Sequence, residues 1–259
     1  MSPRVGLITG SGAYEWPGLD GVAPREVTTA YGTVEVTEGE IDGVEVVHLS
    51  RHGGGHVRLS NHVDHRANLR ALLDLGVDRL LSLTVCGSVD PGTPAGAVVV
   101  PDDLYFPGNR LPDGSLCTWY AEPGAAGRGH WVPDEVFSDP LRQALLDAAD
   151  AAGTPAGEGC YGYVEGPRFN TPAEHAALAA AGVTVVSQTA GPEVVLAGEA
   201  ELPMALLCYV TNGVEPEAGG RLVERVAASR EVLAAVVHGA LPRLVGTDPE
   251  PPGVVHRFG

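Results

Sequence analysis

Residues 162–212 read GYVEGPRFNTPAEHAALAAAGVTVVSQTAGPEVVLAGEAELPMALLCYVTN. A short apolar run leads into the turn Glu165-Gly166-Pro167-Arg168-Phe169. Thr171-Pro172-Ala173-Glu174 then starts a helix, with Thr171 as N-cap, Pro172 first in the helix and Glu174 three residues beyond the cap. That helix, Ala173 to Ala181, stops at Gly182. Val183 to Val186 reads as a buried strand and ends in the polar loop Ser187-Gln188-Thr189-Ala190-Gly191. Pro192 opens a second helix, Glu193 to Glu201, and Met204 to Val210 is a further buried strand ending in Thr211-Asn212. Strands and helices therefore alternate, the pattern of an α/β sheet. Two strands finish in small polar residues, and in such sheets ligands bind in the crevice at the carboxyl ends of strands. Plain turn chemistry explains the same residues equally well until the rest of the chain is read.

The composition narrows the choices. The chain of 259 residues is 44% hydrophobic and 19% charged, enough for one substantial core, and no linker or repeat divides it. Its net charge of −17 offers no basic stripe for phosphodiester backbones, so nucleic acid is excluded as a partner. All 16 basic residues are Arg. Without Lys there is no Schiff-base chemistry and no P-loop lysine. Cys86, Cys117, Cys160 and Cys208 are scattered without a C-x-x-C pair, which argues against zinc and redox motifs; Cys86 and Cys208 lie in apolar runs and read as core. No signal-like start or membrane-length apolar run is present, so a soluble, cytoplasmic protein without membrane contact is expected.

Outward toward the N-terminus the same theme recurs. Arg4 to Thr9 is a strand that runs into Gly10-Ser11-Gly12, where backbone N–H groups and a hydroxyl can approach an anion. Thr33 to Thr37 and Val44 to Leu49 form a hairpin across Asp42-Gly43. The second strand ends in Arg51-His52-Gly53-Gly54-Gly55-His56, a guanidinium beside an imidazole in a glycine-rich loop, suited to phosphate or carboxylate. A helix runs from about Asn61 to Leu75, and its His62 and His65 lack the carboxylates or thiols a metal site would add. Leu80 to Val85 is a strand ending in Thr84-Val85-Cys86-Gly87-Ser88. Tyr105 to Glu135, carrying Tyr120, His130 and Trp131, reads as a long loop of functional or interface character. Pro140 to Ala152 and Arg221 to Val245 are helical, and residues 246–259 form a tail that is poorly ordered or packed on a neighbour.

The ordered set of motifs resembles the trimeric purine nucleoside and methylthioadenosine phosphorylases over roughly the first 215 residues. It comprises GSG at Gly10, SRHG at Ser50, HRANLRAL at His65, TVCGS at Thr84, EGPRF at Glu165, TPAE at Thr171, GPEVVLAGEAELP at Gly191 and the final TN. The resemblance implies a single α/β domain over residues 1–245, with a central mixed, distorted barrel-like sheet flanked by helices, and three copies in a ring with sites near the subunit interfaces. It implies phosphorolysis of a purine nucleoside to free base and sugar 1-phosphate, with inorganic phosphate as co-substrate and neither cofactor nor metal.

Carried over by position, Ser11, Arg51, His52, Thr84 and Thr189 would hold phosphate, with Ser11, His52 and Asn212 closest to the chemistry. Phe169 would pack on the purine or sugar, and His130 would reach the 5′ end of the sugar from a neighbouring subunit. The departures concern the base. Members acting on 6-aminopurines carry Asp-x-Asp where this chain has Asn212-Gly213-Val214. An amide has a donor and an acceptor for a 6-oxo group and N7, as in the inosine and guanosine enzymes. Those enzymes add a Glu where this chain has Asn170, and Glu215 or Glu217 could stand in for it. Gln188 replaces the usual Met beneath the sugar and would add a hydrogen bond there. Leu222, Val223 and Val226 could wall an apolar 5′-methylthio pocket, or simply pack. A 6-oxopurine preference, of inosine or 5′-methylthioinosine type, is expected. The competing readings are an adenine-releasing methylthioadenosine phosphorylase and a non-catalytic nucleoside- or phosphate-binding relative.

Overall fold

A computed structural model describes residues 3–19, 22–213 and 220–258. The chain runs β1 (Arg4–Thr9), β2 (Arg25–Thr29), β3 (Gly32–Ile41), β4 (Val44–Ser50), α1 (His65–Asp74), β5 (Arg79–Ser88), β6 (Val98–Val99), β7 (Asp103–Tyr105) and β8 (Gly129–Val132). It continues through α2 (Asp139–Ala151), β9 (Ala156–Gly157), β10 (Cys160–Tyr163), α3 (Pro172–Ala180), β11 (Val183–Ser187), α4 (Ala190–Glu199), β12 (Met204–Asn212), α5 (Gly220–Ala240) and β13 (Val254–Arg257).

Successive apolar residues of the buried strands face opposite sides, as the two-residue period of a strand requires. Ile8, Val47, Leu80 and Leu206 join α1 and α4 in one core, while Leu7, Val46, Leu81 and Leu207 join α2 and α5 in the other. This sandwiching explains why β5 and β12 read as continuous apolar runs. Asp42 (φ 51°) and Gly43 (φ 82°) make the expected β3–β4 turn.

Eleven strands form one mixed sheet. β1 pairs in parallel with β4 and with Arg79 to Ser82 of β5, and β12 pairs in parallel along the other side of β5. β11 meets β5 antiparallel, at Gly87 and Ser88 only. Between Ser82 and Gly87 one edge of β5 therefore has no strand neighbour among the described residues. This parting of the sheet places the ends of β1, β4, β5, β11 and β12 around one opening.

Several boundaries differ from the sequence reading. α4 begins at Ala190, and Pro192 sits within its first turn, where the missing N–H costs no helical bond. α5 ends at Ala240, because Pro242 lies in a following tight 3₁₀ turn, Leu241–Leu244. Arg25–Thr29, mostly exposed and polar, was not legible as a strand, yet it hydrogen-bonds along β3. The segment 105–135 is not structureless: Arg110 bridges to Leu116, and β8 pairs with β13. The tail is thereby fastened to its own chain. Trp131 Nε1 donates to Pro252 O at 2.9 Å, Val255 is buried, and Arg257 pairs with Glu201. Among the described residues no helix is long and apolar enough to cross a membrane.

Candidate active site

The opening in the sheet is a cavity of about 270 Å³. It is lined by Ser11, His52, Thr84 and Thr189 and by Gly87, Val186 and Asn212, with Phe169, Asn170 and Gln188 also in its wall. The strand-end motifs, far apart in sequence, thus converge on one cavity.

Local rules position each wall. Gly10 and Gly12 are glycines for close approach: a Cβ on Gly10 would stand 2.7 Å from Arg51 Nη1, and one on Gly12 2.9 Å from Val226 Cγ1. Gly12 also has φ +83°. Thr84 Oγ1 lies 3.0 Å from Val85 O and 3.2 Å from Ser187 Oγ, and Ser187 Oγ donates to Val85 O at 3.0 Å. These hydroxyls occupy the unpaired edge of β5. Thr189 lines the cavity and immediately precedes α4, so the positive end of that helix lies at the cavity wall. On the opposite wall the predicted capping box is complete: Thr171 accepts from Glu174 N, and Glu174 accepts from Thr171 N at 2.7 Å. Arg168 closes onto the same carboxylate. Phe169, 70% exposed, lies at the mouth instead of in the core.

His52 is buried, with its ring stacked 4.1 Å from that of His56. Burial, reinforced by the adjacent Arg51 charge, pushes its pKa down to about 3. Nδ1 lies 2.8 Å from Arg58 O. A carbonyl only accepts, so the neutral ring carries its proton on Nδ1 and presents Nε2 as an acceptor.

Arg51, expected among the anion ligands for its charge, lies behind the cavity wall. Its side chain is fully buried, Nε and Nη2 donate to Glu193 at 2.7 and 2.9 Å, Nη1 donates to Leu83 O, and Nη2 also reaches Ser82 Oγ. The guanidinium fills the gap in the sheet and ties β4 to β5. Although burial alone would raise it, the Glu193 carboxyl is held down to about 2 by Arg51 and by His65, whose Nδ1 is 3.7 Å away. His65 is therefore a neighbour of a buried ion pair. Among the described residues no cluster of His, Cys, Asp or Glu could hold a metal ion.

Gln188 lines the cavity, but its amide is engaged by protein. Oε1 accepts from Ser60 Oγ at 2.9 Å, and Nε2 donates to Arg168 O at 2.8 Å. It joins the loop after β4 to the EGPRF turn across the cavity wall. Gly166 leaves room for this bridge, because a Cβ there would fall 2.1 Å from Gln188 Oε1 and Ser60 Oγ.

Asn212 is oriented by its predecessor. Thr211 Oγ1 lies 3.1 Å from both Cys86 O and Asn212 Oδ1 and donates to them, leaving Nδ2 over Gly87, where a Cβ would be 2.8 Å from it. Leu222 and Val226 line the cavity, whereas Val223 is 72% exposed. His130 lies outside the cavity, on β8, edge-on to Phe258 at 5.2 Å. Val214, Glu215 and Glu217 fall outside the described residues. The cavity contacts of Ser60 and His175 were not legible in the sequence. The only signal for His175 was a lone imidazole among alanines on α3.

With this geometry in place, comparison with known proteins is specific. The profile of the phosphorylase superfamily matches residues 4–245. A probable 6-oxopurine nucleoside phosphorylase of Thermococcus kodakarensis is 39% identical over 223 residues, covering 83% of this chain and 82% of its own length. A probable S-methyl-5′-thioinosine phosphorylase of Methanopyrus kandleri is 38% identical over 211 residues, covering 81% and 78%. The crystal structure of methylthioadenosine phosphorylase from Schistosoma mansoni in complex with adenine superposes with a TM-score of 0.84 at 29% identity, over 93% of this chain and 91% of that one.

Proposed function

The chain belongs to the phosphorylase superfamily, and from that premise we propose that it cleaves the glycosidic bond of a 6-oxopurine nucleoside with inorganic phosphate. The products are free base and the sugar 1-phosphate, which makes the protein a pentosyltransferase. The carrying observation is that the hydroxyls of Ser11, Thr84 and Thr189 and the oriented amide of Asn212 line one cavity.

Ser11, Thr84 and Thr189, with the amino end of α4, hold phosphate by hydroxyl and backbone donors. His52 accepts from a protonated phosphate oxygen through Nε2. Arg51 serves indirectly, by fixing the strand from which Thr84 projects. A phosphate oxygen bonds to C1′ as the C1′–N9 bond breaks, and that electron pair moves onto the purine. Asn212 Nδ2–H stabilises the departing base at its acceptor N7, and the base takes up a proton from solvent as the phosphate, now esterified at C1′, releases one. Phe169 covers the nucleoside from the mouth, beside Asn170 and Gln188. Leu222 and Val226 give the cavity an apolar flank, which favours a 5′-methylthio substituent over a free hydroxyl. The reaction itself calls for no organic cofactor or metal. We place the enzyme in cytoplasmic purine salvage, as a homotrimer whose His130 serves the neighbouring subunit's cavity.

The test is release of base from inosine, 5′-methylthioinosine, adenosine and 5′-methylthioadenosine, with and without phosphate. Phosphate-dependent hypoxanthine release is expected. Adenine release alone would overturn the base assignment, and phosphate-independent release would overturn phosphorolysis. Asn212→Asp is expected to move the selectivity toward 6-aminopurines by roughly tenfold or more, since it exchanges a donor for a carboxylate at the base.

A further inference from the structure

We propose that His175 is a base-recognition residue, whose Nε2–H donates to the 6-oxo group of the purine that Asn212 meets at N7. The assignment rests on the phosphorolysis reading and names a determinant of its substrate class.

The fold brings His175 and Asn212, 37 residues apart in sequence, to the wall of one cavity. His175 lies three positions before Leu178 on α3, so the two share a helix face. Leu178 packs against Val89, Val183 and Val186. Val186 pairs with Gly87, and Gly87 is the residue under the Asn212 amide. His175 and Asn212 therefore flank one strip of backbone, and both line the cavity.

The imidazole has no other employment. Its Nδ1 is buried without a hydrogen-bond partner, and among the described residues the ring makes no hydrogen bond. α3 is otherwise nearly all alanine and leucine on this stretch, PAEHAALAA, so no polar network or ion pair accounts for a histidine there. The burial of Nδ1 favours one tautomer over the other: a proton on Nδ1 would be an orphaned buried donor, whereas the Nε2–H tautomer leaves only an unfilled acceptor there.

Two donors, Nε2–H of His175 and Nδ2–H of Asn212, then converge on the base. A 6-oxopurine answers them with O6 and N7. A 6-aminopurine still offers N7 to Asn212, but it sets the hydrogens of its amino group against the His175 N–H. A missing partner in such a pair discriminates strongly, because the site's polar group is left unpaired.

Calorimetric titration of hypoxanthine and of adenine into the wild type, His175→Ala and His175→Gln tests the assignment. Alanine is a favourable helix residue, so the variant should fold, and its thermal midpoint confirms that it has. The expected result is a loss of about tenfold or more in hypoxanthine affinity for His175→Ala, with adenine changed by no more than about twofold and partial recovery in His175→Gln. The phosphate KM in the phosphorolysis assay should stay constant. Unchanged hypoxanthine affinity, or equal loss for both bases, overturns the assignment. If the wild type releases hypoxanthine from inosine and His175→Ala does so with the same nucleoside KM and kcat, this proposal alone falls. If the wild type neither binds hypoxanthine nor shows phosphorolysis, its premise falls with it.

Discussion

Arg51 and Glu193 grip each other by two parallel hydrogen bonds, Nε to Oε1 at 2.7 Å and Nη2 to Oε2 at 2.9 Å, with both side chains at 0% exposure. They are 142 residues apart in sequence and close the gap between β1 and β11 from behind. Removing one partner leaves an uncompensated buried charge. Arg51→Met or Glu193→Gln should therefore destabilise the protein by about 3–5 kcal/mol, while the double variant Arg51→Met/Glu193→Leu recovers most of that loss. Urea denaturation of the three variants measures it. Loss of phosphate affinity in Arg51→Met at unchanged stability would instead show the guanidinium to be a direct ligand.

Gln188 is expected to act as a latch. Gln188→Met fills nearly the same volume but strands Ser60 Oγ and Arg168 O, a loss of about 1–2 kcal/mol in all if each bond contributes its usual net amount. The nucleoside KM should rise severalfold while the phosphate KM holds, because both stranded groups belong to the wall beside Phe169. Steady-state kinetics in each substrate separates the two. An unchanged nucleoside KM would remove the latch.

Acid should weaken the fold through two neutral histidines. Burial lowers His48 to about 4, and burial with the Arg51 charge lowers His52 to about 3. Below the ordinary value near 6.5 the unfolded chain takes up protons that the folded chain refuses, so stability falls as pH falls. The slope is about 1.4 kcal/mol per pH unit for each histidine, between pH 6.5 and 4 for His48 and down to 3 for His52. Glu193, held at about 2, adds a loss in the same direction below the ordinary carboxylate range. Chemical denaturation from pH 7 to 4.5 reads the slope, and His48→Phe should flatten it by about half.

Truncation after Asp248 should cost stability, because β13 covers Trp131. Loss of buried Val255 and of the Trp131–Pro252 hydrogen bond amounts to about 2 kcal/mol, or roughly 4–8 °C in Tm. Scanning calorimetry would show it. An unchanged Tm would mean that the tail is an appendage after all.

The sequence by itself determined the main buried strands and the helices between them, the capping box at Thr171, the turn at Asp42-Gly43 and the identity of the strand-end motifs. Each of these depends on contacts within a few residues, so local chemistry writes it directly. Tertiary structure decided what the motifs do. Ser11, His52, Thr84, Thr189 and Asn212 converge because the sheet parts along β5, a pairing set by residues from three other strands. The same parting turned Arg51 inward, since Glu193, Ser82 and Leu83 all meet there, and no local pattern announces a partner 142 residues away. Gln188 became a bridge because Gly166 lets Ser60 and Arg168 approach it from two loops. His175 went unread because one imidazole in an alanine-rich helix carries no sequence signal until the face it shares with Leu178 is laid against Val186 and Gly87.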